Sequence, residues 1–307
     1  MENRMPDITA NGISLHYDRH GDPDAPPLLL VMGLGAQMTL WPIELVEALA
    51  NRGFHVIRFD NRDIGLSHKF HGTRGPGILK MLVFDRLGLQ LRAPYTLADM
   101  AADGIGLLDA LGIERAHVVG ASMGGMIAQH MAFAHPQRVA SLTSIMSSTG
   151  HRKLKPTDPK AVRALTRRPK SMDQEVLIAH GMGIARAIGS PGFPAAEDRL
   201  RERVAANVRR SVYPEGFIRQ LAAIMADGCR RERLARIAAP TLVLHGEDDP
   251  LIPLEHGQDT ARHVPGARLT TFPGMGHDLP LELIEPMADA IARHAWASRP
   301  SAVSAAA

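Results

Sequence analysis

Three residue types set far apart along this chain can do nucleophilic chemistry together. Ser122 lies in Gly120-Ala121-Ser122-Met123-Gly124, carboxylates cluster at Glu247-Asp248-Asp249, and an imidazole follows in Gly276-His277. A serine hydroxyl is a weak nucleophile at neutral pH. It needs a base to take its proton and a third group to orient that base. Serine first, acid second and histidine last is therefore a complete set for acyl transfer, provided the fold brings the three together. The five-residue Gly-x-Ser-x-Gly pattern by itself also describes an ordinary glycine-rich turn, so its surroundings decide its meaning.

Those surroundings are a β-like run, Ala116-His117-Val118-Val119, before the pattern and a helix-like run, Met126 to Ala132, after it. Strand, sharp turn and helix are the context of a nucleophile elbow, with the serine at the N-terminus of a helix whose dipole favours developing negative charge. The acid and the histidine are placed alike. Thr241–Leu244 reads as a strand leading into the carboxylates, and Arg268–Phe272 as a strand leading into the loop that ends at His277. Ser…Asp…His is the chain order of α/β-hydrolases rather than of the other serine-hydrolase folds.

The remaining elements give the same rhythm. Asn11-Gly12 marks a hairpin within residues 7–20, and Pro27-Leu28-Leu29-Leu30-Val31 reads as a buried parallel strand. A helix is expected over Pro42–Ala50 with Gly53 just past its end, and a strand over Phe54–Phe59. Thr96-Leu97-Ala98-Asp99 resembles a capping box opening a helix that runs to Leu111. A strand over Val139–Met146 and helices over Leu254–His263 and Leu281–Ala295 complete the set. Strands alternating with helices predict a mostly parallel sheet covered on both faces, an α/β fold. Residues 148–234 break the alternation: they are helix-like and rich in Ala, Arg and Met. The expected organisation is a discontinuous core of 1–147 and 235–307 with 148–234 as a helical cap or lid above the sheet.

Composition narrows the function classes. A chain of 307 residues can bury about three quarters of its unfolded surface. A net charge of only +3 makes no case for nucleic acid, and the basic stretch around His151–Lys155 has no interleaved aromatic residue. The single cysteine, Cys229, excludes an internal disulfide and fits a reducing compartment. Met1–Asp7 lacks an apolar signal core, and the chain has no apolar run long enough for a membrane span, so a cytoplasmic protein is expected. The Ala/Ser-rich end from Ala297 to Ala307 is expected to fray. Neither a dinucleotide site nor a P-loop is spelled out: Gly33-Leu34-Gly35-Ala36-Gln37-Met38 lacks the third glycine, and no Gly-Lys-Ser/Thr follows the elbow. Metal-ligand spacing is missing too, so neither cofactor nor metal is expected. Oligomeric state stays open between a monomer and a homo-oligomer.

The chain resembles the α/β-hydrolases, and within them the lidded serine esterases similar to aclacinomycin methylesterases and related carboxylesterases. The resemblance covers roughly residues 25–147 and 235–296. Its carriers are Leu30-Val31-Met32-Gly33-Leu34-Gly35, Asp60-Asn61-Arg62-Asp63-Ile64-Gly65-Leu66-Ser67, the elbow, Gly246-Glu247-Asp248-Asp249 and Gly276-His277. It implies Ser122 as nucleophile, His277 as base and Asp249 as the orienting acid, with Asp248 as the neighbouring rival. It also implies an oxyanion hole from the backbone N–H groups of Leu34 and Met123. Met32-Gly33 stands where the family has His-Gly, which removes a side-chain contact but no backbone donor. Arg62 and Ser67 are expected to brace loops, whereas Asp63 replaces a common glycine without evident reason. Met38, Trp41, Met126, Met146, Met182, Met225, Leu251 and Leu279 read as core before they read as pocket lining. His117 and His130 read as packing or surface histidines rather than second bases.

The functional expectation is a serine hydrolase acting on a small-molecule carboxylic ester through an acyl-enzyme. Lactonase, thioesterase, carbon–carbon hydrolase and cofactor-free perhydrolase remain variants on the same triad. Haloalkane dehalogenases and epoxide hydrolases are disfavoured because they carry aspartate at the elbow. A non-catalytic binding protein of this fold is the rival class, and colour release from a p-nitrophenyl ester discriminates between the two.

Overall fold

A computed structural model describes residues 7–298; residues 1–6, and with them most of the segment read for a signal core, and residues 299–307, most of the end expected to fray, lie outside the described residues. The strands are β1 (Asp7–Ala10), β2 (Ile13–His20), β3 (Pro27–Val31), β4 (His55–Phe59), β5 (Ala116–Ala121), β6 (Val139–Ile145), β7 (Thr241–Gly246) and β8 (Arg268–Phe272). They form one sheet in the order β1-β2-β4-β3-β5-β6-β7-β8. β1 and β2 pair antiparallel, as do β2 and β4, and every later pairing is parallel. The hairpin between β1 and β2 turns on Asn11 (φ 49°) and Gly12 (φ 75°), the two positive values that a two-residue turn between twisted strands requires.

Helices cover both faces: α1 (Ile43–Asn51), α2 (Ile78–Leu87), α3 (Leu97–Ala110) and α4 (Met123–Ala134) precede β6 or connect the strands before it. Between β6 and β7 come α5 (Pro159–Thr166), α6 (Gln174–Ile188), α7 (Glu197–Arg210), α8 (Pro214–Asp227) and the short α9 (Arg231–Leu234). Last are α10 (Leu254–His263) and α11 (Ile284–Ala297). The period-2 alternation of a strand divides β3 between two cores. Leu29 and Val31 pack with Leu97, Met100 and Leu108 of α3 and with Ile127 and Met131 of α4. Leu28 and Leu30 pack with Leu45 and Leu49 of α1 and with Met287 and Ile291 of α11. Covering on both faces is why the central strands read as unbroken apolar runs. Each fully buried leucine contributes about 1.5–3 kcal/mol.

Most boundaries fall within two residues of expectation. The capping box of α3 is present: Asp99 N–H donates to Thr96 Oγ1 at 3.1 Å and Thr96 N–H to Asp99 Oδ2 at 2.8 Å. β7 runs on to Gly246, so His245 is a buried strand residue rather than the start of a loop. The last helix is prefaced by a 3₁₀ turn over Leu281–Leu283. Helix α2 was not legible, because its apolar residues are not gathered on one face: Met81 packs against Leu91 and Ala222 while Leu79, Val83 and Leu87 face outward. A helix whose apolar residues spread around it has no 3.6-residue periodicity to read.

Between β3 and β5 the strand order reverses, β4 having been added on one side of β3 and β5 on the other. Crevices at the carboxyl ends of strands flanking such a switch point are where open α/β sheets bind ligands. The Met32–Gly35 loop leaves β3 there, and Ser122 leaves β5.

Burial pushes the imidazoles of His130, His245 and His294 below the usual 6.5; for His130 the Asp227 carboxylate offsets only part of that effect. A histidine whose folded-state pKa is lowered binds its proton more readily when unfolded. Its contribution is full above the unfolded value and is lost as pH falls through the folded one. Burial raises the Asp103 and Asp278 carboxyls, which act in the opposite sense at lower pH. The urea midpoint is therefore expected to drop as pH is lowered from about 7.5 to about 5.5. A midpoint that rises over that range contradicts the assignment of these histidines as buried and neutral.

Candidate active site

The turn after β5 is built by the absence of side chains. A Cβ at Gly120 would lie 2.1 Å from Gly124 O, and one at Gly124 would lie 2.0 Å from Val31 O. Only glycines let the first turn of α4 sit directly on the ends of β3 and β5. Ser122 between them has φ 56° and ψ −120°, a conformation costing an L-residue on the order of 1–3 kcal/mol. Its backbone is held on both sides: Ser122 N–H donates to Ile145 O at 2.9 Å, and Ser147 Oγ donates to Ser122 O at 2.8 Å. The result is a half-buried hydroxyl projecting from the sheet edge.

Ser122, Asp249 and His277 come together. His277 Nε2 lies 3.0 Å from Ser122 Oγ, and His277 Nδ1 lies 2.7 Å from Asp249 Oδ2. Since a carboxylate can only accept, Nδ1 carries the proton and Nε2 is the acceptor facing the serine. Asp249 Oδ1 is occupied separately, accepting the N–H groups of Leu251 (2.9 Å) and Ile252 (2.8 Å). That turn fixes the carboxylate plane and leaves Oδ2 for the imidazole. Asp248 points elsewhere, its Oδ2 accepting the Gly274 N–H at 2.9 Å. The His277 loop is in turn held from the C-terminal end of α6 and the residues just past it: His277 N–H donates to Ile188 O at 2.7 Å and Gly276 N–H to Ser190 Oγ at 2.9 Å. Ser190 also pairs with Asp278, whose carboxyl burial pushes up.

Two backbone donors flank the serine. Met123 is the first residue of α4, so its N–H is one of the orphan donors at a helix start, and Ser122 makes no side-chain cap to it. Leu34 lies in the β3 loop beside the elbow; a Cβ on the preceding Gly33 would stand 3.1 Å from Ser122 Cβ. No carbonyl or side chain among the described residues accepts from Leu34 N–H.

Other residues singled out in the sequence have structural settings. Ser67 Oγ accepts the His16 N–H at 2.9 Å and donates to Asp60 O at 2.6 Å. Arg62 forms a two-point pair with Asp103 at 2.6 and 2.7 Å. Asp63 now has a reason. With φ 70° it occupies a glycine-like conformation, and its carboxylate takes a buried two-point pair from Arg219 of α8 at 2.8 and 2.9 Å. Burial alone would raise the Asp63 carboxyl; Arg219 and the Phe70 N–H outweigh it and hold it below the ordinary range. Met38 and Trp41 are fully buried, and Met126, Met146 and Leu279 belong to the two main cores. His117 bonds Ser141 and His130 bonds Asp227, so both are engaged in packing. Reading by sequence missed His245, which bonds Ile252 O at 2.7 Å and lies 3.7 Å from Asp249 Oδ2. Its place at the end of an apolar strand was the one available signal. Among the described residues no cluster of three or more His, Cys, Asp or Glu is arranged to hold a metal, and no helix is long and apolar enough to cross a membrane.

Comparison with known proteins gives the family of this fold. Residues 26–282 match the family described as alpha/beta hydrolase fold. The chain is 30% identical to rhodomycin D methylesterase DauP of Streptomyces sp. (strain C5), over 97% of this chain and 99% of that protein. Among solved structures it is similar to the meta-cleavage product hydrolase CumD of Pseudomonas fluorescens IP01, with a TM-score of 0.74 at 20% identity over 96% of this chain and 98% of the other. The enol-lactonase of Burkholderia xenovorans LB400 gives 0.70 at 23% identity over 94% and 99%. At those identities the two structures speak for the fold alone.

The glycine contacts carry a test. Gly124→Ala forces a methyl group into Val31 O, and overpacking against backbone is expected to cost about 1–3 kcal/mol or more. A urea midpoint equal to that of the parent chain would show that α4 does not sit as tightly on β3 as described.

Proposed function

The chain belongs to the α/β-hydrolase fold family, and on that footing we propose that it hydrolyses carboxylic esters of small molecules through an acyl-enzyme formed on Ser122. The observation that carries this reading is the unbroken line of hydrogen bonds from Asp249 through His277 to Ser122 Oγ, 2.7 and 3.0 Å long. The similarity to a methylesterase over nearly the whole of both chains supports an ester as the substrate.

In the proposed reaction Ser122 Oγ attacks the ester carbonyl as His277 Nε2 takes its proton. The carbonyl oxygen, now negative, is met by the N–H groups of Leu34 and Met123. A preorganised donor of this kind typically contributes about 3–4 kcal/mol. The tetrahedral intermediate collapses, the carbon–oxygen bond to the alcohol breaks, and the alcohol leaves with the proton held by His277. Water then enters, gives its proton to His277 and attacks the acyl carbon, and Ser122 is released with its proton restored. Asp249 keeps the imidazole in the Nδ1–H tautomer and stabilises its charged form throughout. In this reading residues 148–234 act as a helical cap over a core of 1–147 and 235–307 and shape the space for the ester. A binding protein of the same fold would have no use for a serine held at a strained backbone beside an aligned imidazole.

Ser122→Ala is expected to lower kcat on p-nitrophenyl butyrate by a factor on the order of 10⁴ or more with the fold intact. Near-normal turnover by that variant refutes the reading. Asp249→Asn is expected to cost far more activity than Asp248→Asn, because Asp248 is turned to Gly274 N–H; the opposite ranking would move the orienting role to Asp248.

A further inference from the structure

Gln220 of α8 is fully buried, and both ends of its amide are spent on backbone beside the elbow. Oε1 accepts the Gly35 N–H at 2.9 Å, and Nε2 donates to Arg62 O at 2.8 Å. The reverse orientation would set NH₂ against N–H and C=O against C=O, so the partners themselves fix the amide. Gly35 belongs to a turn in which Ala36 N–H donates to Gly33 O at 3.3 Å, and its φ of 67° is the positive value a type II turn demands at that position. At the other end of the same loop, Asn61 Nδ2 donates to Met32 O at 2.8 Å. Residues 32–35 are thus gripped at both ends, with the Leu34 N–H between the grips and Ser122 alongside.

We infer that Gln220 is a positioning residue for the oxyanion site: by bridging Gly35 N–H to Arg62 O it keeps the Leu34 N–H aimed where the ester oxygen becomes negative. The inference deepens the esterase reading and rests on it. Stabilisation of an oxyanion comes from donors already in place, so a loop no longer held at Gly35, one peptide beyond the Leu34 N–H, loses rate without losing substrate. The Gly35 peptide has no other acceptor among the described residues. Arg219, the residue before Gln220, pins the same turn of α8 through its pair with Asp63. The core alone therefore does not complete this loop; a helix from between β6 and β7 does.

Gln220→Met keeps the length of the side chain and removes both polar ends. It is expected to lower kcat on p-nitrophenyl butyrate roughly 10- to 100-fold with KM within about twofold of the parent. Affinity for an alkyl boronic acid, which forms a tetrahedral adduct on serine, should fall by the same factor as kcat/KM. Gln220→Glu retains an acceptor for Gly35 and regains the donor toward Arg62 only when protonated, so its activity relative to the parent should rise as pH is lowered from about 8 to about 6. A merely structural role predicts neither the matched loss of boronate affinity nor the pH-dependent ratio. The inference is overturned if Gln220→Met keeps kcat and boronate affinity within about twofold, or loses KM alone. Should the methionine variant fail to fold, a flat ratio for Gln220→Glu overturns it instead. Labelling of the parent chain with a fluorophosphonate, read by mass spectrometry at Ser122, separates the two levels. Absence of labelling brings down the esterase reading and this inference with it, whereas labelling with unaltered Gln220→Met kinetics brings down the inference alone.

Discussion

Everything at the site depends on how closely α4 is pressed against the ends of β3 and β5. Gly120 and Gly124 permit backbone contacts that any Cβ would prevent, and Gly33 brings the β3 loop to the same place. That closeness forces Ser122 into a positive φ, and the strain is sustained because α4 is anchored by its own buried face, Ile127 and Met131 among the α3 and β3 side chains. A strained residue persists only where its surroundings over-determine it. Here two backbone bonds to the β6 side and a buried helix do so, and the hydroxyl is left projecting with an orphan N–H directly behind it.

A second constraint comes from the helices between β6 and β7. Loops at the carboxyl ends of parallel strands have no ladder to satisfy their N–H and C=O groups, so other elements must. Ile188 O and Ser190 hold the His277 loop, Gln220 holds the β3 loop, and Arg219 holds Asp63. These helices act as a splint for the site, whatever else they cover. Gly216 shows how near they come: a Cβ there would lie 2.2 Å from Asp63 O. The buried Asp63–Arg219 pair ties the position of α8 to the Asp63 loop, since loss of either partner would leave the other an uncompensated buried charge.

Asp249 illustrates how chemistry is divided between a turn and a partner. One carboxylate oxygen closes the turn through two N–H groups and the other faces His277. Asp248, one residue earlier, is turned outward to Gly274. Two adjacent aspartates therefore differ not in type but in which side of one turn each occupies. Beneath them His245, neutral through burial, bonds Ile252 O and packs against the same turn.

The sequence by itself determined the class of fold and the three distant side chains, because both are written in local patterns. Strand runs, capping residues and glycines at fixed offsets act within a few residues of themselves, and the order of serine, acid and histidine is read directly along the chain. Asp63, Gln220, Ser190 and α2 were decided only by the tertiary structure. Gln220 bonds Gly35 across 185 positions and Arg219 bonds Asp63 across 156; neither glutamine nor aspartate carries a local signal naming so remote a partner. Likewise α2 owes its place to the face it lays on α8 rather than to any periodicity of its own. Local propensity chooses elements, but only packing tells a buried polar group where its hydrogen bonds will be found.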